Sequence, residues 1–266
     1  MRVAIAQFGP TTDVAENLAA IDRLTTRAVA DGAKLIVFPE EAMVTVDGLG
    51  EPLSEFVDAK WPLFEAHVSA LAATHGIAII AGGYEPNGTT RPNNTLLATD
   101  STGSVVARYR KLHLYDAFAY QESKYVTSGP ELPPVVALAG LRVGLVNCYD
   151  LRFPELARHL IAEGADLISI SAAWMAGHRK ADHWETLVRA RAIENTVWVA
   201  AAGSIAPNCI GDSLVVDPLG VVKAGLGDEP EATVTVEISP SRTEAVRRVL
   251  PALENRRIEL TMTVKD

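Results

Sequence analysis

An α/β fold is what this sequence of 266 residues predicts. Short apolar, β-prone runs alternate with stretches that repeat apolar residues at helical spacing. Glycine or proline marks most of the changes between them. Tight turns join some strands and helical crossovers join others, which suggests two sheets packed face to face with helices outside. A single doubly wound sheet satisfies the same pattern.

Residues 2–8 read as a first strand. Residues 14–30 follow as a helix, with Leu18, Ile21, Leu24 and Ala28 on one face and Gly32 after its end. Residues 34–38 form a short buried strand that Pro39 stops, and a helix is expected over 61–74. Residues 76–83 read as a buried strand between glycine breaks. Strands over 94–99 and 105–109 flank the turn Ser101-Thr102-Gly103. A β-prone run leads to Cys148, after which Pro154 occupies a helix's first turn and residues 154–163 continue it. A strand at 166–171, a helix at 181–195 and strands at 197–202, 213–216, 221–224 and 232–237 complete the series before a last helix from Ser241.

Composition narrows the function. The chain can bury a sizeable core, and without a linker, charge run or repeat it reads as one domain over residues 1–266. A formal charge of −9, spread along the chain, argues against nucleic acid or an anionic membrane as partner. Two distant cysteines fit a reducing compartment. The first strand begins at once, which leaves no room for a signal peptide, and no apolar run approaches the roughly 18 residues that span a bilayer. A cytoplasmic protein is expected.

Cys148 is the most informative residue. A lone cysteine is usually a small buried hydrophobe. This one stands at a strand-to-helix corner, where converging backbone N–H groups lower a thiol pKa and offer oxyanion donors. Glu40, placed at the carboxyl end of the strand before Pro39, and Lys111, following the run Val105 to Arg110, supply partners for it. Taken singly, Glu40 reads as a solvated loop carboxylate and Lys111 as part of a basic strand with Arg108 and Arg110.

Together the motifs Val37-Phe38-Pro39-Glu40, Tyr109-Arg110-Lys111-Leu112-His113-Leu114 and Asn147-Cys148-Tyr149-Asp150-Leu151-Arg152-Phe153-Pro154-Glu155 resemble the carbon–nitrogen hydrolase (nitrilase) superfamily. Gln121-Glu122-Ser123 with Ser128-Gly129 is similar to the segment carrying that family's second active-site glutamate. Later segments, including His183-Trp184-Glu185 and Gly211-Asp212-Ser213, extend the resemblance over essentially the whole chain. It implies an αββα sandwich of two mixed sheets, a Glu40–Lys111–Cys148 triad supported by Glu122, and an oxyanion site shared by Lys111 and the backbone N–H of Tyr149. No cofactor or metal is implied. Self-association as a homodimer or larger homo-oligomer is, through helices 154–163 or 181–195.

The implied chemistry is attack of the Cys148 thiol on an amide carbonyl, with Glu40 as general base. Two carboxylates around one lysine should repel, raising one of their pKa values towards neutrality. Glu41 is expected to be structural. His113 could tempt a Cys–His pairing, but the glutamate–lysine framework leaves it no necessary role. Asp150 and Arg152 are expected to pair or brace the corner, with Arg152 as a substrate carboxylate ligand the lesser alternative. His178 and His183 lack a third metal ligand, and Cys209 matches no motif.

Within the superfamily, Leu112 to Phe118, Ala173-Trp174, Gly177, Lys180 and His183-Trp184 resemble the Nit branch, whose members hydrolyse deaminated glutathione or ω-amides of 2-oxo acids. Water and a small amide bearing a distant carboxylate are the expected substrates, with Trp174, Arg179 and Lys180 as candidate binding residues. Nitrile hydrolysis, or hydrolysis of N-carbamoyl or aliphatic amides on the same triad, is the alternative within enzymes. A catalytically silent binding protein on this fold is the alternative outside them.

Overall fold

Alternation along the central strands divides their side chains between layers. In β1 (Arg2–Phe8), Val3 and Ile5 face one way while Ala4 and Ala6 face the other, and all four are fully buried. A strand buried on both faces needs a layer over each. α1 (Val14–Ala30) supplies part of the first, started by the Asp13 carboxylate, which accepts from the Ala15 N–H. The computed structural model describes residues 1–50, 52–206, 208–259 and 261–265.

The chain continues through β2 (Leu35–Val37), α2 (Leu53–His75), β3 (Ala78–Glu85), β4 (Asn93–Thr99) and β5 (Val105–Arg110). A small hairpin, β6 (Asp116–Ala117) and β7 (Tyr120–Gln121), precedes β8 (Val135–Leu138) and β9 (Leu141–Asn147). Then follow α3 (Pro154–Ala162), β10 (Leu167–Ala172), α4 (Lys180–Asn195) and β11 (Trp198–Gly203). A second small hairpin, β12 (Ile205–Ala206) and β13 (Cys209–Ile210), leads to β14 (Leu214–Val216), β15 (Val222–Gly225), β16 (Glu231–Glu237) and α5 (Pro240–Val249).

Two six-stranded sheets result. One has the order β16-β1-β2-β3-β4-β5 and the other β15-β14-β11-β10-β9-β8. In each, three parallel strands form the centre (β1, β2, β3 and β9, β10, β11) and antiparallel strands close both sides. Val3, Ile5, Leu35 and Val37 pack against Val143, Leu145, Leu167 and Trp198 between the sheets. Ala4, Ala6 and Ile36 meet α1 and α2 through Ile21, Leu24, Phe64 and Val68. Val146, Ile168, Ile170 and Val199 meet α3 and α4 through Leu160, Trp184 and Val188. The four layers are the αββα sandwich, and the single doubly wound sheet is excluded.

The boundaries depart from expectation in three places. α2 starts at Leu53 rather than 61 and carries Pro62 inside it. β8 is an antiparallel edge strand that was not among those expected, although Pro133-Pro134 and the turn Ala139-Gly140 flank it. Gly82 and Gly83 lie within β3 instead of ending it. Gly82 has a packing reason: a Cβ there would stand 1.9 Å from the Glu40 carbonyl oxygen. The missing side chain lets the Glu40 turn lie directly on β3, where Gly82 N–H donates to the Pro39 carbonyl at 3.1 Å. Gly82→Ala is therefore expected to lower the stability measured by urea unfolding by about 3 kcal/mol, as overpacking of a closed contact does.

Candidate active site

Four groups from separate loops converge beyond the strand ends. Glu40 follows β2, Lys111 follows β5, Glu122 follows β7 and Cys148 follows β9. All are buried, with Lys111 only 2% exposed. Lys111 Nζ donates to Glu40 Oε1 at 2.7 Å and to Glu122 Oε2 at 2.8 Å. The backbone fixes the lysine from both sides: its N–H donates to the Asn94 carbonyl and its carbonyl accepts from the Gly129 N–H.

The remaining carboxylate oxygens are also satisfied. Asn94 Nδ2 donates to Glu40 Oε1 at 2.8 Å and to Glu122 Oε1 at 2.9 Å. Ala173 N–H donates to Glu40 Oε2 at 2.8 Å, and Tyr115 N–H to Glu122 Oε2 at 2.6 Å. Asn147 Nδ2 in turn donates to Asn94 Oδ1 at 2.9 Å and fixes its amide. Sequence reasoning missed Asn94, since an amide within a strand carries no local signal. Asn147 stood unassigned inside a quoted motif.

Cys148 begins a 3₁₀ turn, Cys148–Arg152, that joins β9 to α3, and its φ of 46° is in the left-handed region. Such a conformation costs about 1–3 kcal/mol at a non-glycine residue and is held here by the packed corner. Its thiol lies beside the Glu40 carboxylate. Burial, then the Glu40 charge, push the thiol well above its ordinary range despite Lys111. This corrects the expectation of a lowered thiol pKa, because a dry site and a neighbouring anion outweigh the lysine and the turn's N–H groups.

Burial would also raise Glu40, but the Lys111 charge and the hydrogen bonds it receives hold its carboxyl below the usual carboxylate range. For Lys111, burial opposes the charge, and Glu122 and Glu40 hold the ammonium well above its ordinary value. The resting site thus pairs a neutral thiol with an ionised base. The carboxyl raised towards neutrality is Glu41, at about 7, chiefly through burial.

These groups open into a cavity of about 210 Å³, which Tyr149, Trp174, Lys180, Glu41, Asp47, Tyr84 and Cys209 also line. Trp174 Nε1 donates to the Lys180 carbonyl at 2.9 Å. Lys180 Nζ donates to the Tyr115 hydroxyl at 2.9 Å and lies over the Tyr115, Phe118 and Trp174 rings. Burial and the nearby Arg152 lower its pKa. Arg179 stays outside the cavity. It starts α4 in a left-handed conformation, and its side chain, 63% exposed, pairs with Asp182.

Asp150 and Arg152 do not pair. Asp150 accepts from the Tyr109 hydroxyl at 2.7 Å and from the His113 N–H at 3.0 Å, with His113 Nδ1 at 2.9 Å. His113 stacks on Phe153 and faces Asp150, which takes it out of any Cys–His pair. Arg152 lies 4.7 Å from the Trp174 ring centre, and its buried Nε and Nη2 have no hydrogen-bond partner. Among the described residues no group of three or more His, Cys, Asp or Glu could hold a metal ion, and no helix is long and apolar enough to cross a membrane.

The carbon–nitrogen hydrolase family model matches residues 2–248. A Mycobacterium tuberculosis protein named as a hydrolase is 40% identical, covering 96% of this chain and 95% of its own. The deaminated glutathione amidase of Escherichia coli O157:H7 is 37% identical, covering 97% of each chain. Among solved structures, the Caenorhabditis elegans NitFhit protein superimposes with a TM-score of 0.86 at 31% identity, covering 96% of this chain and 65% of that one. An amidase mutant from Nesterenkonia sp. AN1, in complex with acrylamide, gives 0.82 at 27% identity, covering 97% and 94%. Fold, site and sequence agree: this chain belongs to the carbon–nitrogen hydrolase (nitrilase) superfamily and is an enzyme of that class.

Proposed function

We propose that the chain hydrolyses an amide through a Cys148 thioester, and that the amide is a 2-oxo acid ω-amide or deaminated glutathione. The observation that carries the reading is the contact of a neutral Cys148 thiol with an ionised Glu40, itself held by Lys111. As Cys148 Sγ attacks the carbonyl carbon, Glu40 takes the thiol proton. The carbonyl π pair moves to oxygen, and Lys111 with the Tyr149 backbone N–H holds the oxyanion. Glu40 passes the proton to the amine nitrogen as the C–N bond breaks, leaving the thioester. Water then attacks that carbonyl, Glu40 takes its proton, and return of a proton to sulfur releases the acid and the free thiol. Glu122 and Asn94 keep Lys111 and Glu40 in register.

The acyl group is read from the cavity wall. Lys180 and Arg152 form no salt bridge among the described residues, and Arg152 has two unpartnered N–H-bearing nitrogens beside the same aromatic rings. Buried cations without anions suit a ligand carboxylate. Relatives named deaminated glutathione amidase support the same choice. A reducing cytoplasm would keep the thiol free, and a homodimer built on α3 or α4 fits the superfamily. Size-exclusion chromatography with light scattering checks that assembly, and a monomer would remove it.

Ammonia release from 2-oxoglutaramate and product formation from deaminated glutathione are the assays. Cys148→Ala and Glu40→Gln are each expected to lower kcat by at least about 10⁴-fold, as loss of a nucleophile or its base does. Hydrolysis surviving in Cys148→Ala would overturn the mechanism. Wild-type hydrolysis of the matching nitrile but neither amide would overturn the substrate class. Lys180→Met is expected to raise KM for the carboxylate-bearing amide tenfold or more while kcat changes little. An equal rise for a carboxylate-free aliphatic amide would remove Lys180 from carboxylate recognition.

A further inference from the structure

Glu41 takes no part in the mechanism above, yet it lines the same cavity as Cys148. Its Oε1 accepts from the Tyr84 hydroxyl at 2.6 Å. Tyr84 is itself buried on β3, so the carboxylate is held by the sheet rather than by a loose loop. Among the described residues Glu41 forms no salt bridge, and its charged neighbours Glu40 and Asp47 are anions. A shielded carboxylate without a cation is a costly structural device, because desolvation is not repaid by a partner.

The cavity therefore has two unlike walls. Lys180, beside the Trp174 ring, marks one, and Glu41 with Asp47 makes the other. Cys209 is within reach of both: after burial, Glu41, Glu40 and Asp47 raise its thiol while Lys180 lowers it. A substrate whose acyl carboxylate is taken by Lys180 presents its amine portion to the remaining wall.

We propose that Glu41, oriented by Tyr84, is a specificity-determining residue that selects for a cationic or uncharged amine portion and against an anionic one. The inference rests on the amidase reading above and narrows it. Amides that release ammonia or a carboxylate-free amine are the substrates, and the deaminated tripeptide, whose leaving amine carries a carboxylate, is the poorer one.

Two measurements test it. The first compares kcat/KM at pH 8 for 2-oxoglutaramate and its N-ethyl, N-(2-aminoethyl) and N-carboxymethyl derivatives, wild type beside Glu41→Gln. Wild type is expected to prefer the aminoethyl over the carboxymethyl amide, and Glu41→Gln to shrink that ratio tenfold or more. A ratio that Glu41→Gln leaves in place overturns the proposal.

The second needs no turnover. Alkylation of Cys148 by N-(2-aminoethyl)iodoacetamide is divided by that with N-ethyliodoacetamide, with the Cys148 and Cys209 peptides resolved by mass spectrometry. This quotient cancels the thiol's own titration. In wild type it is expected to fall as pH drops from 8 to 6, because Glu41 gains a proton near 7 while an alkylammonium stays charged. The charged and titratable groups that share the cavity with Glu41 are Glu40, Asp47, Lys111, Glu122, Lys180 and Cys209, with Tyr84 and Tyr120. Of these, Glu40 is shifted below the window, and Tyr84, Tyr120 and Cys209 are shifted above it. Lys180, whose pKa is lowered, is separated from Glu41 by repeating the quotient in Lys180→Met, where the fall must persist. A flat quotient overturns the proposal even if Glu41→Gln does not fold. If neither these four amides nor deaminated glutathione is hydrolysed, the substrate reading above has failed, and the alkylation quotient still decides on Glu41. Hydrolysis of deaminated glutathione alone overturns the proposal.

Discussion

A protonated lysine lies inside this protein with one carboxylate 2.7 Å away and another at 2.8 Å. Two carboxyl groups and an ammonium gathered in one buried site form a cluster that an apolar interior would not tolerate unpaired. It persists because every carboxylate oxygen has a donor, drawn from Asn94, Ala173, Tyr115 and Lys111 itself. Those donors come from both sheets and from the loop before β6. The sandwich must therefore be closed before the ion cluster is complete, and the cluster ties the two sheets together at one end. Losing any member would strand charge in the interior, an effect of about 3–5 kcal/mol for a broken buried pair.

The rest of the site follows from this arrangement. Because Lys111 stabilises Glu40 as an anion, the thiol beside it keeps its proton. In the mechanism proposed above, that proton is transferred during attack rather than before it. The same corner brings Cys148 and Tyr149 to the cavity and sends Arg152 back among aromatic rings. The left-handed backbone at Cys148 makes that reversal within so few residues.

Much of this was legible in the sequence, for physical reasons. α1 has apolar residues at helical spacing and an aspartate cap, and its bounds are those expected. Glu40 and Cys148 were visible because each stands at the end of an apolar strand, whereas Lys111 ends the basic strand β5 and was visible only through its motif. Asn94 was hidden because its role arises only when β4 pairs between β3 and β5. The pKa of Cys148 was misjudged because local N–H groups were weighed without the anion that folding brings beside the thiol. Arg179 and Arg152 show the same limit. Charge type is written in the chain, but a left-handed residue at the start of α4 turns one outward while the 3₁₀ turn carries the other inward. The start of α2 was lost because Pro62 looks like a first-turn proline and is in fact an interior one.

The proton on the resting sulfur has a consequence beyond hydrolysis. Peroxides react with thiolates and hardly at all with thiols. A buried cysteine that keeps its proton is therefore chemically quieter than the low-pKa cysteines that serve as redox sensors. Burial, and after it the Glu40 charge, suppress ionisation and therefore act as the sulfur's protection against oxidation.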